Sequence, residues 1–341
     1  MTDPTAIGSE PQMTQEMTQE RTQEMAQEMD QDVRHNGAPE AQPATRARQR
    51  GGRATQLPNF IVIGAMKSGT TSLFHYLQSH PQVFMSPLKE VDFFAGELNW
   101  ERGLDWYRRQ FTGAGPDTVA IGEASTSYSK YPEYTGVPER IAATLPDVRL
   151  IYVVRDPIER IRSHYQHRSL IGAEREPLEI AVLKDPRYVD CSRYAFQIEQ
   201  YMRVFPREAL SVVSSEGLRS DRERTIRDIY RFLGVDETFV SDTLDKEFYR
   251  TDERAGYPPI VWWLRRTVKR YIPAGKRAKE LIDHVLPSSL GRTPSEKAPA
   301  AKDPAFSISD DVREQLAERL RDDVRDLRAY MPDGFDGWGL A

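Results

Sequence analysis

Phe60-Ile61-Val62-Ile63-Gly64-Ala65-Met66-Lys67-Ser68-Gly69-Thr70-Thr71 is the stretch on which the fold turns. Four apolar residues ending in glycine suit a short strand buried on both faces, as in a parallel sheet. Beyond Thr71, residues Leu73, Tyr76 and Leu77 fall on one helical face, so the segment reads strand, loop, helix. In that setting successive backbone N–H groups and the positive end of the helix converge on an anion. Gly64 and Gly69 allow close backbone approach, Lys67 supplies a mobile cation, and Thr70 and Thr71 supply hydroxyl donors. The Walker pattern puts lysine after its second glycine, whereas Lys67 precedes Gly69. The loop shares the logic of that motif without being it.

Working outward, Val119-Ala120-Ile121 predicts a second strand, residues 150–154 a third and 210–213 a fourth. Helical spacing joins Leu104, Tyr107 and Phe111; Val137, Ile141 and Leu145; Tyr194, Ile198, Tyr201, Met202 and Phe205; and Ile226, Ile229, Tyr230 and Leu233, which Gly234 ends. Val312, Leu316, Leu320, Val324, Leu327 and Met331 predict a final amphipathic helix. Strands alternating with helices imply an α/β fold, a P-loop-like, doubly wound parallel sheet flanked by helices in a single domain. Ligands of such sheets bind at the carboxyl ends of the strands.

At the end of the third strand, Arg155 precedes Asp156-Pro157-Ile158-Glu159, which reads as a helix start with a capping box. Ser163 follows about two turns into that helix. An arginine fork suits a terminal phosphate, though an arginine at a strand end also serves as a surface salt-bridge residue. Arg160 and Arg162 are weaker candidates that either join Arg155 and Ser163 or face solvent. His75, His80, His164 and His167 show no metal-ligand spacing and are expected to be structural or acceptor-facing.

The chain has 341 residues and a formal net charge of -5, which gives no global attraction to nucleic acid. Its single cysteine, Cys191, excludes an internal disulfide. No apolar run approaches the ~20 residues that span a bilayer, and the first residues lack a secretory pattern, so a cytoplasmic protein is expected. Residues 1–55 cycle through Met, Thr, Gln and Glu and then turn Pro-, Arg- and Gly-rich; they are expected to be a disordered low-complexity tail. Residues 56–341 form the domain, with 245–303 a lid or acceptor-side insertion. Its basic, Trp-containing stretch 260–272 reads either as a cover over the acceptor cleft or as a peripheral membrane contact.

Three motifs carry a family resemblance. K-S-G-T-T, residues 67–71, after an apolar strand and a glycine resembles the 5′-phosphosulfate loop of sulfotransferases that use 3′-phosphoadenosine-5′-phosphosulfate (PAPS). R-D-P-x-x-R-x-x-S, residues 155–163, resembles their 3′-phosphate motif. K-E-x-x-F-F at 89–94, with G-x-x-W-Y at 103–107, is similar to the glycan-type branch that includes heparan sulfate sulfotransferases. The resemblance implies PAPS as donor, held by Lys67, Ser68, Gly69, Thr70, Thr71, Arg155 and Ser163, with no metal. It further implies that Glu90 is the general base and that Lys67 contacts the bridging oxygen of the departing nucleotide. Ala124 stands where several glycan-type relatives carry a lysine, and no R-K-G motif of the cytosolic branch is present. The acceptor is thereby left as a small molecule, glycan or lipid with a hydroxyl or amine. Two rivals stay open at this point: a P-loop kinase or NTPase, and a catalytically inactive nucleotide- or glycan-binding module.

Overall fold

The computed structural model describes residues 57–245 and 306–341. The expected tail over 1–55, and the expected insertion over 245–303 with its 260–272 stretch, lie outside these residues apart from Asp245.

Five strands form one sheet in which every pairing is parallel: β1 (Phe60–Gly64), β2 (Val83–Met85), β3 (Ala120–Ala124), β4 (Arg149–Val154) and β5 (Leu210–Ser214), in the order β2-β3-β1-β4-β5. Side chains alternate across it. Ile61, Ile63, Ile121, Leu150, Tyr152 and Val154 enter one core, and Phe60, Val62, Ala120, Ile151 and Val153 enter the other. Burial on both faces is why these strands read as unbroken apolar runs rather than alternating ones. Gly122 opposes Phe60 in the ladder, and a Cβ there would meet the Phe60 ring at 2.2 Å, so that close packing requires glycine.

The helices cover both faces. They are α1 (Thr70–Gln78), α2 (Gly103–Arg109), α3 (Val137–Thr144), α4 (Pro157–Leu170), α5 (Leu178–Lys184), α6 (Pro186–Asp190), α7 (Tyr194–Met202), α8 (Gly217–Ser220), α9 (Arg222–Leu233) and α10 (Asp310–Leu327). The apolar stripe of α10 is buried at Val312, Leu316, Leu320, Val324 and Leu327; Met331 lies beyond the helix, half-buried against the core. Among the described helices, none is long and apolar enough to cross a membrane.

Two sequence readings need adjusting. The second strand starts at Ala120 and runs on through Gly122, Glu123 and Ala124, while Val119 lies outside it, 44% exposed. A fully buried glutamate inside a strand breaks the apolar pattern, which is why the run was cut short. The edge strand β2, the short helices α5 and α6 and the single-turn α8 were not foreseen, being too brief to show a period.

Candidate active site

The loop after β1 turns its carbonyls onto two arginines. Arg155 Nη1 donates to the Lys67 carbonyl at 3.2 Å, and Arg160 Nη1 reaches the Met66 carbonyl at 3.5 Å. Within the loop the Ser68 N–H donates to the Ala65 carbonyl at 3.2 Å, and the Ala65 N–H to the Val153 carbonyl at 2.7 Å, which tie the turn to itself and to β4. Gly69 sits at φ 97° just before α1. Gly64, at φ 151°, has Ser129 Oγ where a Cβ would be, 1.9 Å away, so the turn closes only on glycine.

Ser68 Oγ and the Tyr194 hydroxyl are both buried without a hydrogen-bond partner. Tyr194 lies beside Ser68 and the Arg155 backbone, yet no bond of proper geometry joins the two hydroxyls. Orphaned buried hydroxyls are costly, and in a loop of this shape a ligand's oxygens would satisfy them. The donor set therefore fits a polyanionic ligand such as the phosphosulfate of PAPS. Thr70 is buried and Thr71 half-buried at the start of α1.

Arg155, 15% exposed, lies 4.0 Å from Glu159. Burial, and next the nearby Arg219, push its pKa down, so positive charge is crowded where an anion would relieve it. Arg219, on the turn after β5, had no signal in the sequence beyond its place at a strand's carboxyl end. Ser163 is buried on α4 as the spacing required, though no hydrogen bond joins it to Arg155 among the described residues. Asp156 caps α4 by accepting from Ile158 N at 2.9 Å and Glu159 N at 3.1 Å. The reciprocal half of the expected capping box is not made: Glu159 accepts from Arg162 at 2.6 Å instead, and the Asp156 N–H donates to Glu216.

Of the two arginines left open, Arg162 pairs with Glu159, whereas Arg160 does not face solvent at all. It is fully buried, donating to Ser192 Oγ at 2.5 Å and the Tyr188 carbonyl at 2.8 Å, with Nη2 3.3 Å from His164 Nδ1. Burial, and next Arg160, hold His164 well below its usual pKa, so it is a neutral acceptor. His80 is buried and structural, accepting from Gln82 N at 3.0 Å.

Glu90 is held at the start of the 3-10 turn Thr126–Ser129, whose last residue packs against Gly64. Thr126 N–H and Oγ1 donate to Glu90 Oε2 at 2.7 and 3.0 Å, and Lys89 Nζ donates to Oε1 at 2.5 Å. Burial raises the Glu90 pKa, but the Lys89 charge and the hydrogen bonds from Lys89 and Thr126 outweigh it, and the net direction is downward. The carboxyl, 36% exposed, is thus ionised at neutral pH and open to an incoming proton. Lys67 (φ 73°), Glu90 (φ 62°) and Asp92 (φ 53°) are three of the four non-glycine residues with positive φ among those described. Each such residue costs of order 1–3 kcal/mol and persists only where its surroundings hold it, which is typical of functional sites.

α7 begins at Tyr194 and is capped from outside its own sequence. Asp323 of α10 accepts from Ala195 N at 3.1 Å and Phe196 N at 2.8 Å. Among the described residues no group of three or more His, Cys, Asp or Glu side chains gathers as a metal site.

Such an arrangement defines a class of fold, the P-loop-like α/β proteins, in which ligands bind at the carboxyl ends of the strands. The chain belongs to the sulfotransferase family, whose model, the sulfotransferase domain, matches residues 57–257. A crystal structure of a sulfotransferase from Alicyclobacillus acidocaldarius is 30% identical with a TM-score of 0.50, covering 67% of this chain and 96% of that one. Mouse heparan sulfate glucosamine 3-O-sulfotransferase 3A1 is 32% identical over 231 residues, 64% of this chain and 55% of that protein. Human bifunctional heparan sulfate N-deacetylase/N-sulfotransferase 3 is 31% identical over 201 residues, 53% of this chain but only 22% of its own length. The chain thus spans about half the length of the mouse relative and about a fifth of the human one.

Proposed function

We propose that this enzyme transfers a sulfuryl group from PAPS to an acceptor hydroxyl or amine, without a metal. Lys67, Ser68, Gly69, Thr70 and Thr71 would hold the 5′-phosphosulfate, and Arg155 with Ser163 the 3′-phosphate. The observation that carries this reading is the bond from Arg155 to the Lys67 carbonyl, 3.2 Å, which brings the two motifs side by side at the ends of neighbouring strands.

In the transfer, the acceptor oxygen or nitrogen bonds to sulfur as the bond from sulfur to the phosphate oxygen breaks. Glu90 takes the acceptor's proton, a contribution of roughly 10²–10⁴ in rate for a well-placed base. Lys67 stabilises the negative charge that collects on the departing phosphate. The relatives named for heparan sulfate support a glycan acceptor, and small-molecule or lipid acceptors fit the same chemistry. A cytoplasmic setting is proposed on the single cysteine, Cys191, which is a buried free thiol.

Calorimetric titration with 3′-phosphoadenosine 5′-phosphate (PAP) and with ATP tests the donor. Tighter binding of PAP supports the reading, and a preference for ATP would overturn PAPS as the donor. Transfer of label from [³⁵S]PAPS to glycan, lipid and phenol acceptors then tests the enzyme against a mere binding module.

A further inference from the structure

Glu123 is fully buried in β3, with no basic partner among the described residues. Its two oxygens instead receive three hydroxyl protons: Tyr107 at 2.7 Å and Tyr128 at 3.1 Å on Oε1, and Ser125 at 2.7 Å on Oε2. A carboxyl this deep is expensive unless its bonds accomplish something an apolar side chain could not.

Two of the three hydroxyls reach further. Ser125 Oγ accepts the N–H of Asp92 at 2.9 Å, and Tyr128 Oη accepts the N–H of Phe94 at 3.3 Å. The N–H of Glu90 goes to the Ala124 carbonyl at 2.9 Å. Every second amide of segment 90–94 is therefore bound by segment 124–128, as in a sheet ladder in which two side-chain oxygens stand in for carbonyls. A hydroxyl has a single proton. With that proton committed to Glu123, the lone pairs of Ser125 and Tyr128 must face the amides. Tyr107 fixes the carboxyl from the other side and stacks on Phe93 at 4.5 Å, closing the pocket.

We propose that Glu123 is the positioning residue of the base: by orienting Ser125 and Tyr128 it fixes the left-handed turn at Glu90 and Asp92, and so aims the Glu90 carboxylate. This rests on Glu90 being the base. Burial lifts the Glu123 carboxyl to about 7 despite the bonds from Ser125, Tyr107 and Tyr128, which agrees with a group kept for its hydrogen bonding rather than for an ion pair.

The test uses the full chain carrying Glu123→Gln, which preserves shape and both tyrosine bonds but presents Ser125 with a donor. Hydrogen–deuterium exchange across 88–96 should accelerate at least tenfold, with 60–71 unchanged. PAP affinity and the KM for PAPS should stay within twofold while kcat, with water or the assayed acceptor, falls tenfold or more. Ser125→Ala should reproduce this, and the double variant should be no worse than the poorer single. Wild-type exchange over 88–96, an unchanged kcat, or PAP affinity falling in step with kcat would each overturn the proposal. Should Glu123→Gln fail to fold, Ser125→Ala and Tyr128→Phe decide by the same readings. A wild-type chain that binds no PAP defeats the donor reading alone, because the exchange measurement still judges the link from Glu123 to segment 90–94.

Discussion

Thr126 gives both its backbone N–H, at 2.7 Å, and its hydroxyl, at 3.0 Å, to a single oxygen of Glu90. The other oxygen is held by the neighbouring lysine, Lys89. A carboxylate so engaged is fixed in direction and favoured in its charged form, yet it keeps a lone pair for a substrate proton.

Glu90→Gln keeps the shape and loses the proton acceptor. Turnover should drop by about 10²–10⁴ while PAP affinity changes less than twofold. Single-turnover transfer and calorimetry on the same preparation measure both; unchanged turnover would take Glu90 out of the mechanism.

Lys89→Ala removes the charge that lowers the Glu90 pKa. Activity that needs ionised Glu90 is lost as pH falls through that pKa, so the acid limb of the pH–rate profile should move to higher pH in the variant. An acid limb that stays in place would mean another group sets it.

Lys67→Ala should lower kcat by roughly 10²–10³, the usual effect of losing one stabilising group on developing charge. The side chain is half-buried at a loop tip outside the apolar core, so thermal denaturation should move by only a degree or two.

Arg155→Ala should erase most of the preference for a 3′-phosphorylated nucleotide. Hydrogen bonds to a charged group are worth about 1.5–3 kcal/mol, so PAP affinity should fall about 10- to 100-fold while adenosine 5′-phosphate affinity hardly moves. A preserved preference would shift the assignment to Arg219.

Stability should report on Glu123. Its carboxyl titrates near 4.5 when unfolded and near 7 when folded. Between those values the native state holds the extra proton, so stability is greatest below 4.5, falls as pH rises through the window, and levels off above it. The full effect is about 3 kcal/mol. Urea denaturation of the wild type and of Glu123→Gln from pH 4.5 to 8 should differ by this slope, and parallel curves would refute it.

Much of the site was legible because it is local. The strand, glycines, Lys67 and threonines of the anion loop lie within twelve consecutive residues, and Arg155 and Ser163 within nine. What spacing could not show is what distant chain does to a residue. Nothing in the spacing around Glu123 shows that Tyr107 and Tyr128 close around it. Tyr194 has the period of a core residue and gives no hint that its hydroxyl borders Ser68. Arg160 could be sorted from Arg162 only once Ser192 and Tyr188 were seen to surround it. Glu159 abandons the capping box because Arg162 and, from α10, Arg313 compete for it.

The contact from Asp323 to the first amides of α7 sets a practical boundary. The family match stops at residue 257, but the carboxylate that steadies the helix bearing Tyr194 comes from near the chain's far end. A fragment trimmed to the matched region would keep every motif residue and yet lose the splint behind the helix whose Tyr194 borders Ser68. Anyone grafting or shortening this enzyme should carry the C-terminal helix along with the motifs.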